Sequence, residues 1–129
     1  VAAYHHAFDG PTPGPPGERR WLDLGSVREV ADVWLNGQHL GERAVPPYRY
    51  EITGLLKPGR NHLVVEVANV LNNRMVGDAQ RPAAYRQTKS NLLKGITPWS
   101  TPWVQVPLLP SGLLGPVVIL AESERRASR

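Results

Sequence analysis

Three tryptophans, Trp34, Trp99 and Trp103, are the side chains of this 129-residue sequence best suited to holding a ligand. An exposed indole stacks on the axial C–H face of a sugar while nearby Asn and Arg side chains take the hydroxyls. Trp34 alternates with Val33 and Leu35, so it points away from the face those two occupy. Arg49 alternates in the same way with Tyr48 and Tyr50. The competing reading is packing, in which the indoles cover a second sheet face or dock on a neighbouring domain.

Residues for catalysis are harder to find. The sequence has no G-x-S-x-G, no phosphate-binding loop, no dinucleotide fingerprint and no H-E-x-x-H. His5 and His6 are adjacent, so on a strand they face opposite ways, and His39 and His62 stand alone. A glycosidase needs two carboxylates across one bond, whereas Asp23, Asp32, Glu51 and Glu66 fall in separate predicted strands. There is no cysteine, which excludes disulfides, thiol catalysis and cysteine-ligated zinc. The expectation is a chain with no catalytic residue, no metal and no cofactor of its own.

The formal charge of +4 is concentrated. Arg74, Arg81, Arg86, Lys89 and Lys94 lie in one stretch with a single anion, Asp78, and the remaining charges cancel. That stripe lacks interleaved aromatics and any nucleic-acid motif, so a solvated or partner-facing segment is expected rather than a nucleic-acid binder. No apolar run approaches the roughly 20 residues that cross a bilayer, so no membrane contact is expected. The chain opens on Val1 and its only methionine is Met75, as in a piece of a longer polypeptide.

The elements that position these residues read as strands. Thirteen prolines and twelve glycines cluster between short apolar runs, a pattern of a β-sandwich rather than a helical bundle. Residues 3–8 form a candidate strand, and GPTPGPPG at 10–17 a loop. Leu22 and Leu24 share a face, as do Ala31, Val33 and Leu35, then Tyr48, Tyr50 and Ile52, then Leu63, Val65 and Val67. Asn36-Gly37 predicts a type I′ turn, since both central positions need positive φ. Residues 54–61 are expected to make a short helical turn ended by Pro-Gly. From 70 to 106 neither period holds, and a segment that long implies function or a covering partner. Order returns at 117–121 (VVILA), followed by a charged tail, so the expected organisation is one domain over 1–121 and a tail over 122–129.

WLDLGSVREVADVWLNGQHLG and PPYRYEITGLLKPGRNHLVVEV together resemble the galactose-binding-like sugar-binding module of family 2 glycoside hydrolases. ANVLNNRMVGD and PLLPSGLLGPV are similar to the C-terminal β-sandwich of family 106, the bacterial α-L-rhamnosidases. The resemblance implies an eight-stranded antiparallel jelly-roll sandwich, all-β, whose catalytic carboxylates and calcium belong to a separate barrel. It also implies that Asn73, Arg74 and Asp78 match an N-R-x-x-G-D scaffold element. With Trp34, Arg49, Trp99 and Trp103 they complete the candidate set for contact with carbohydrate. The expected role is a non-catalytic accessory domain of a rhamnosidase-like hydrolase of extracytoplasmic location, partnered by its barrel and in contact with a rhamnose-containing glycan. The alternative is an autonomous carbohydrate-binding module that targets a polysaccharide.

Overall fold

The computed structural model describes residues 1–88 and 101–123. Trp99, Lys89 and Lys94 lie outside them. The chain resolves into two compact units, Val1–Asn69 with Ser111–Arg129, and Val70–Pro110.

The first unit is an antiparallel β-sandwich. Its strands are β1 (Ala2–Asp9), β2 (Arg19–Asp23), β3 (Ser26–Arg28), β4 (Val30–Leu35), β5 (Gln38–Arg43), β6 (Arg49–Glu51), β7 (Arg60–Ala68), β8 (Gly112–Gly115) and β9 (Val118–Glu122). They form a four-stranded sheet in the order β1-β7-β4-β5, a three-stranded sheet β6-β2-β9 and a pair β3-β8. Nine strands appear among the described residues where the resemblance implies eight. The short β3 and β8, of three and four residues, are too brief to show an alternation in sequence.

The period-two reading places the core correctly. Ala31, Val33 and Leu35 of β4 meet Leu63, Val65 and Val67 of β7 and the inward residues Leu22, Leu24, Tyr48, Tyr50 and Ile52 in one buried cluster. Two tyrosines tie the sheets together through their polar ends: Tyr48 donates to the Glu29 carbonyl at 2.5 Å and Tyr50 to the Ala31 carbonyl at 3.2 Å. Burial pushes the Tyr50 phenol up to about 12, so it stays a neutral donor.

Asn36 and Gly37 have φ of 51° and 80°, and the chain reverses there from β4 into β5 as the Asn-Gly pair predicts. Beyond the turn a bulge leaves Leu40 without a cross-strand partner, because Val33 pairs with Gly41 and Trp34 with His39.

Residues 54–61 differ from the expected helical turn. Gly54 takes φ of 75°, Leu55 N–H donates to the Ile52 carbonyl at 3.0 Å, and Arg60 and Asn61 already belong to β7. The left-handed glycine and the Asn61 side chain, rather than a helical ladder, shape the segment. Asn61 is wholly buried and fully bonded. Its Nδ2 donates to the carbonyls of Lys57 (2.9 Å) and Gly59 (3.0 Å). Its Oδ1 accepts from Lys57 N–H (2.8 Å) and Asn36 Nδ2 (2.9 Å).

The second unit carries a helix that the sequence pattern does not reveal, α1 (Asn72–Ala79), with 3₁₀ turns at Ala83–Tyr85 and Trp103–Gln105. At eight residues, with Leu71 at its N-cap and no side-chain cap, it offers none of the start signals that mark a helix in sequence. Asn and Gly among its residues lower its propensity further.

Candidate functional site

Two outer sheet faces and one helix present the candidate residues. On the β6-β2-β9 sheet, the inward turn of Leu22 forces Trp21 and Asp23 outward beside Arg49 and Glu51. Trp21 Nε1 donates to Glu122 Oε2 at 2.9 Å, and the Arg19 guanidinium lies 4.8 Å from the Trp21 ring. Arg19 forks onto Glu51 at 3.0 and 2.9 Å, which holds the Glu51 carboxyl below its ordinary value. Arg49 Nε donates to Asp23 Oδ2 at 2.6 Å, and Asp23 Oδ1 accepts from Gly25 N–H at 2.8 Å. Burial opposes ionisation of Asp23, but the Gly25 N–H and the Arg49 guanidinium outweigh it and lower its pKa.

A concavity of about 570 Å³ opens here, lined by Trp21, Arg43, Pro47, Arg49, Leu120 and Glu122 among others. Trp21 was not among the residues the sequence reading selected as ligand contacts. The signal was present, since the same alternation that buries Leu22 and Leu24 turns Trp21 to the surface. A second cavity of about 270 Å³ lies under the proline-rich loop, between Pro13, Pro15, Arg20, Thr53 and Leu56.

Trp34 occupies the outer face of the other sheet. Its ring stacks on His39 with centroids 4.8 Å apart, and His39 Nε2 lies 2.5 Å from Asp32 Oδ1. Trp34 and Arg49 therefore stand on opposite sides of the shared core and cannot touch one ligand.

Asn73, Arg74 and Asp78 come together on α1 in the second unit, where Asn73 and Asp78 meet backbone and Arg74 meets side chains. Asn73 Nδ2 donates to the Leu109 carbonyl at 2.7 Å, and its Oδ1 accepts from Leu109 N–H at 2.8 Å. Buried Asp78 accepts from Thr88 N–H (2.7 Å), Thr88 Oγ1 (2.8 Å) and Gln87 N–H (3.1 Å) through Oδ2. Arg74 hydrogen-bonds Gln87, and its Nε lies 3.8 Å from Asp78. Trp103 opens a 3₁₀ turn and is half-buried.

The Thr88 hydroxyl, with the Thr88 and Gln87 N–H groups, holds the Asp78 carboxyl below the usual aspartate value. A carboxyl depressed on folding stabilises the fold above its unfolded pKa, and that contribution is lost as pH falls through the folded one. The Thr88 amide proton is expected to titrate with a midpoint below about 3.9 and to lose that transition in Asp78→Asn. A pH series of NMR shifts checks it; a midpoint at or above the ordinary aspartate value contradicts it.

An antiparallel β-sandwich with one shared core and polar, aromatic outer faces is the architecture of a galactose-binding-like module. Residues 2–113 match the family model described as glycosyl hydrolase 2 galactose-binding domain-like, and the chain belongs to that family. A putative β-glucuronidase of Formosa agariphila is 36% identical over an alignment covering 76% of this chain and 10% of that protein. The structure of a rhamnosidase from Novosphingobium sp. PP1Y superposes with a TM-score of 0.75 at 34% identity, covering 93% of this chain and 11% of that one. A β-glycosidase from Bacteroides vulgatus shares the fold, with a TM-score of 0.51 at 23% identity over 92% of this chain and 12% of that one. The chain thus spans about a tenth of the length of these relatives.

Proposed function

We propose that this chain is the non-catalytic accessory sandwich of a rhamnosidase-like glycoside hydrolase, supporting the catalytic barrel of its parent polypeptide and contacting carbohydrate. One observation carries the reading. The rhamnosidase matches over nearly all of this chain and over only 11% of its own, so the likeness is that of one module within a much larger enzyme. In this reading residues 1–121 act as one domain, and Asn73, Arg74 and Asp78 are scaffold: Asn73 fixes the Leu109 backbone, Asp78 the Gln87 and Thr88 backbone, and Arg74 the Gln87 side chain. Arg49 remains a candidate sugar contact.

The experiment is deletion of this domain from the parent polypeptide. The melting temperature of the remaining enzyme is expected to fall by several degrees, with the residual activity on aryl glycosides located entirely outside this chain. Unchanged thermal stability on deletion, or turnover by the 129-residue chain alone, sinks the proposal.

An autonomous binding module is the second reading, favoured by the open, Trp21-lined concavity. Tethering such a module raises the effective substrate concentration without new chemistry. It is distinguished by binding of a polysaccharide to the isolated chain together with no loss of stability on deletion.

A further inference from the structure

We infer that the concavity beside Trp21 takes a carboxylate-bearing sugar residue, with Arg43 as the group that reads the charge. The inference deepens the carbohydrate-contact part of the proposed function and rests on it. Its basis is a contrast between Arg43 and the arginines of the β6-β2-β9 sheet beside it. Arg19 is matched by Glu51, Arg20 by Glu18 and Arg49 by Asp23. The exposed Arg43 has no carboxylate within hydrogen-bonding or ion-pairing distance among the described residues; its guanidinium lies 5.2 Å from the Tyr50 ring centroid. A guanidinium on an aromatic face keeps its N–H edge for an in-plane acceptor, and a carboxylate fits that fork with two parallel bonds.

The rest of the lining completes a sugar site. Arg49 engages Asp23 through Nε, and its terminal nitrogens have no hydrogen bond among the described residues. Glu122, the one acidic lining residue among those described, already accepts from Trp21 Nε1. With Arg49 matched by Asp23 and Glu122 engaged by Trp21, Arg43 is the lining cation left for an anionic guest among the described residues. Trp21, Pro47 and Leu120 supply the apolar floor on which a pyranose C–H face lies. Arg19 covers one face of the Trp21 ring and is not part of the lining, so the indole meets the guest with the rest of its surface. A volume of about 570 Å³ is within the range of small-molecule sites.

The test is calorimetric titration of the 129-residue chain with a glucuronate-containing disaccharide, its neutral glucose counterpart and sodium sulfate, each at constant ionic strength. The acidic sugar is expected to bind at least ten-fold more tightly than the neutral one. Arg43→Gln abolishes that preference while retaining the residual binding, and Trp21→Phe weakens both sugars; thermal melts confirm that each variant folds. Equal affinity for the two sugars, or a preference that persists in Arg43→Gln, overturns the assignment of charge recognition but leaves carbohydrate contact standing. No binding of either sugar overturns both this inference and the carbohydrate part of the proposed function, while leaving the deletion test of barrel support independent. Sulfate displacing the acidic sugar with equal affinity reduces the site to a generic anion contact and overturns the sugar assignment.

Discussion

Asn61→Leu is expected to lower the stability of the sandwich by about 2–4 kcal/mol, as read from the urea midpoint at unchanged slope. Leucine is nearly isosteric with asparagine, so the space is filled and the loss is polar. The substitution orphans Lys57 N–H and the Lys57 carbonyl, and it removes one partner each from Asn36 Nδ2 and from the Gly59 carbonyl, which keeps Gly10 N–H. Asn61 is fully buried, so the leucine occupies the inner side on which a replacement water would have to sit. Asn36 also donates to the Leu55 carbonyl at 3.2 Å and accepts from His62 N–H at 2.9 Å, so damage at 61 spreads into the β4–β5 turn. A loss below about 0.5 kcal/mol, typical of an exposed position, contradicts this account.

Gly25→Ala is expected to cost about 2–4 kcal/mol, combining backbone strain with a clash that cannot relax. Gly25 has φ of 66°, a region L side chains avoid, and an added Cβ would lie 2.6 Å from the Gly115 carbonyl carbon and oxygen and 2.7 Å from the Pro116 oxygen. All three neighbours are backbone, fixed where Gly25 and Gly115 form a parallel bridge. Gly37→Ala provides the control, since that glycine also has positive φ but open space around the added methyl. If the two substitutions cost the same, strain alone explains both and the close approach of the chains at Gly25 contributes nothing.

Both positions mark where local pattern stops informing. In the sequence Asn61 looks like an ordinary turn residue after Pro-Gly, and Gly25 like one glycine among twelve. Their weight comes from partners that approach only in the fold: Asn36 across 25 residues, and Gly115 ninety positions further on. The strands, in contrast, were legible because each face repeats every two residues, and that repeat needs no knowledge of the partner strand. Helix α1 was not legible for the opposite reason. It is short, uncapped and held by Asn73 on Leu109 and Asp78 on Thr88, contacts that leave no periodic trace.

The same division governs the candidate site. Trp34 and Arg49, both outward by alternation, were legible as exposed, yet the sheets place them on opposite sides of one core. Trp21 meets Glu122 across 101 residues of sequence because β9 returns to pair with β2. Arg43 joins the same concavity from the other sheet. The sequence by itself determined the inward and outward face of each main strand, the Asn36-Gly37 reversal and the likeness to galactose-binding-like modules. Only the tertiary structure decided which outward side chains share a surface and that Arg43, unlike Arg49 in the same concavity, has no carboxylate partner among the described residues. Periodicity is set by backbone geometry within a strand, whereas proximity is set by strand order and register, which depend on the packing of the whole core.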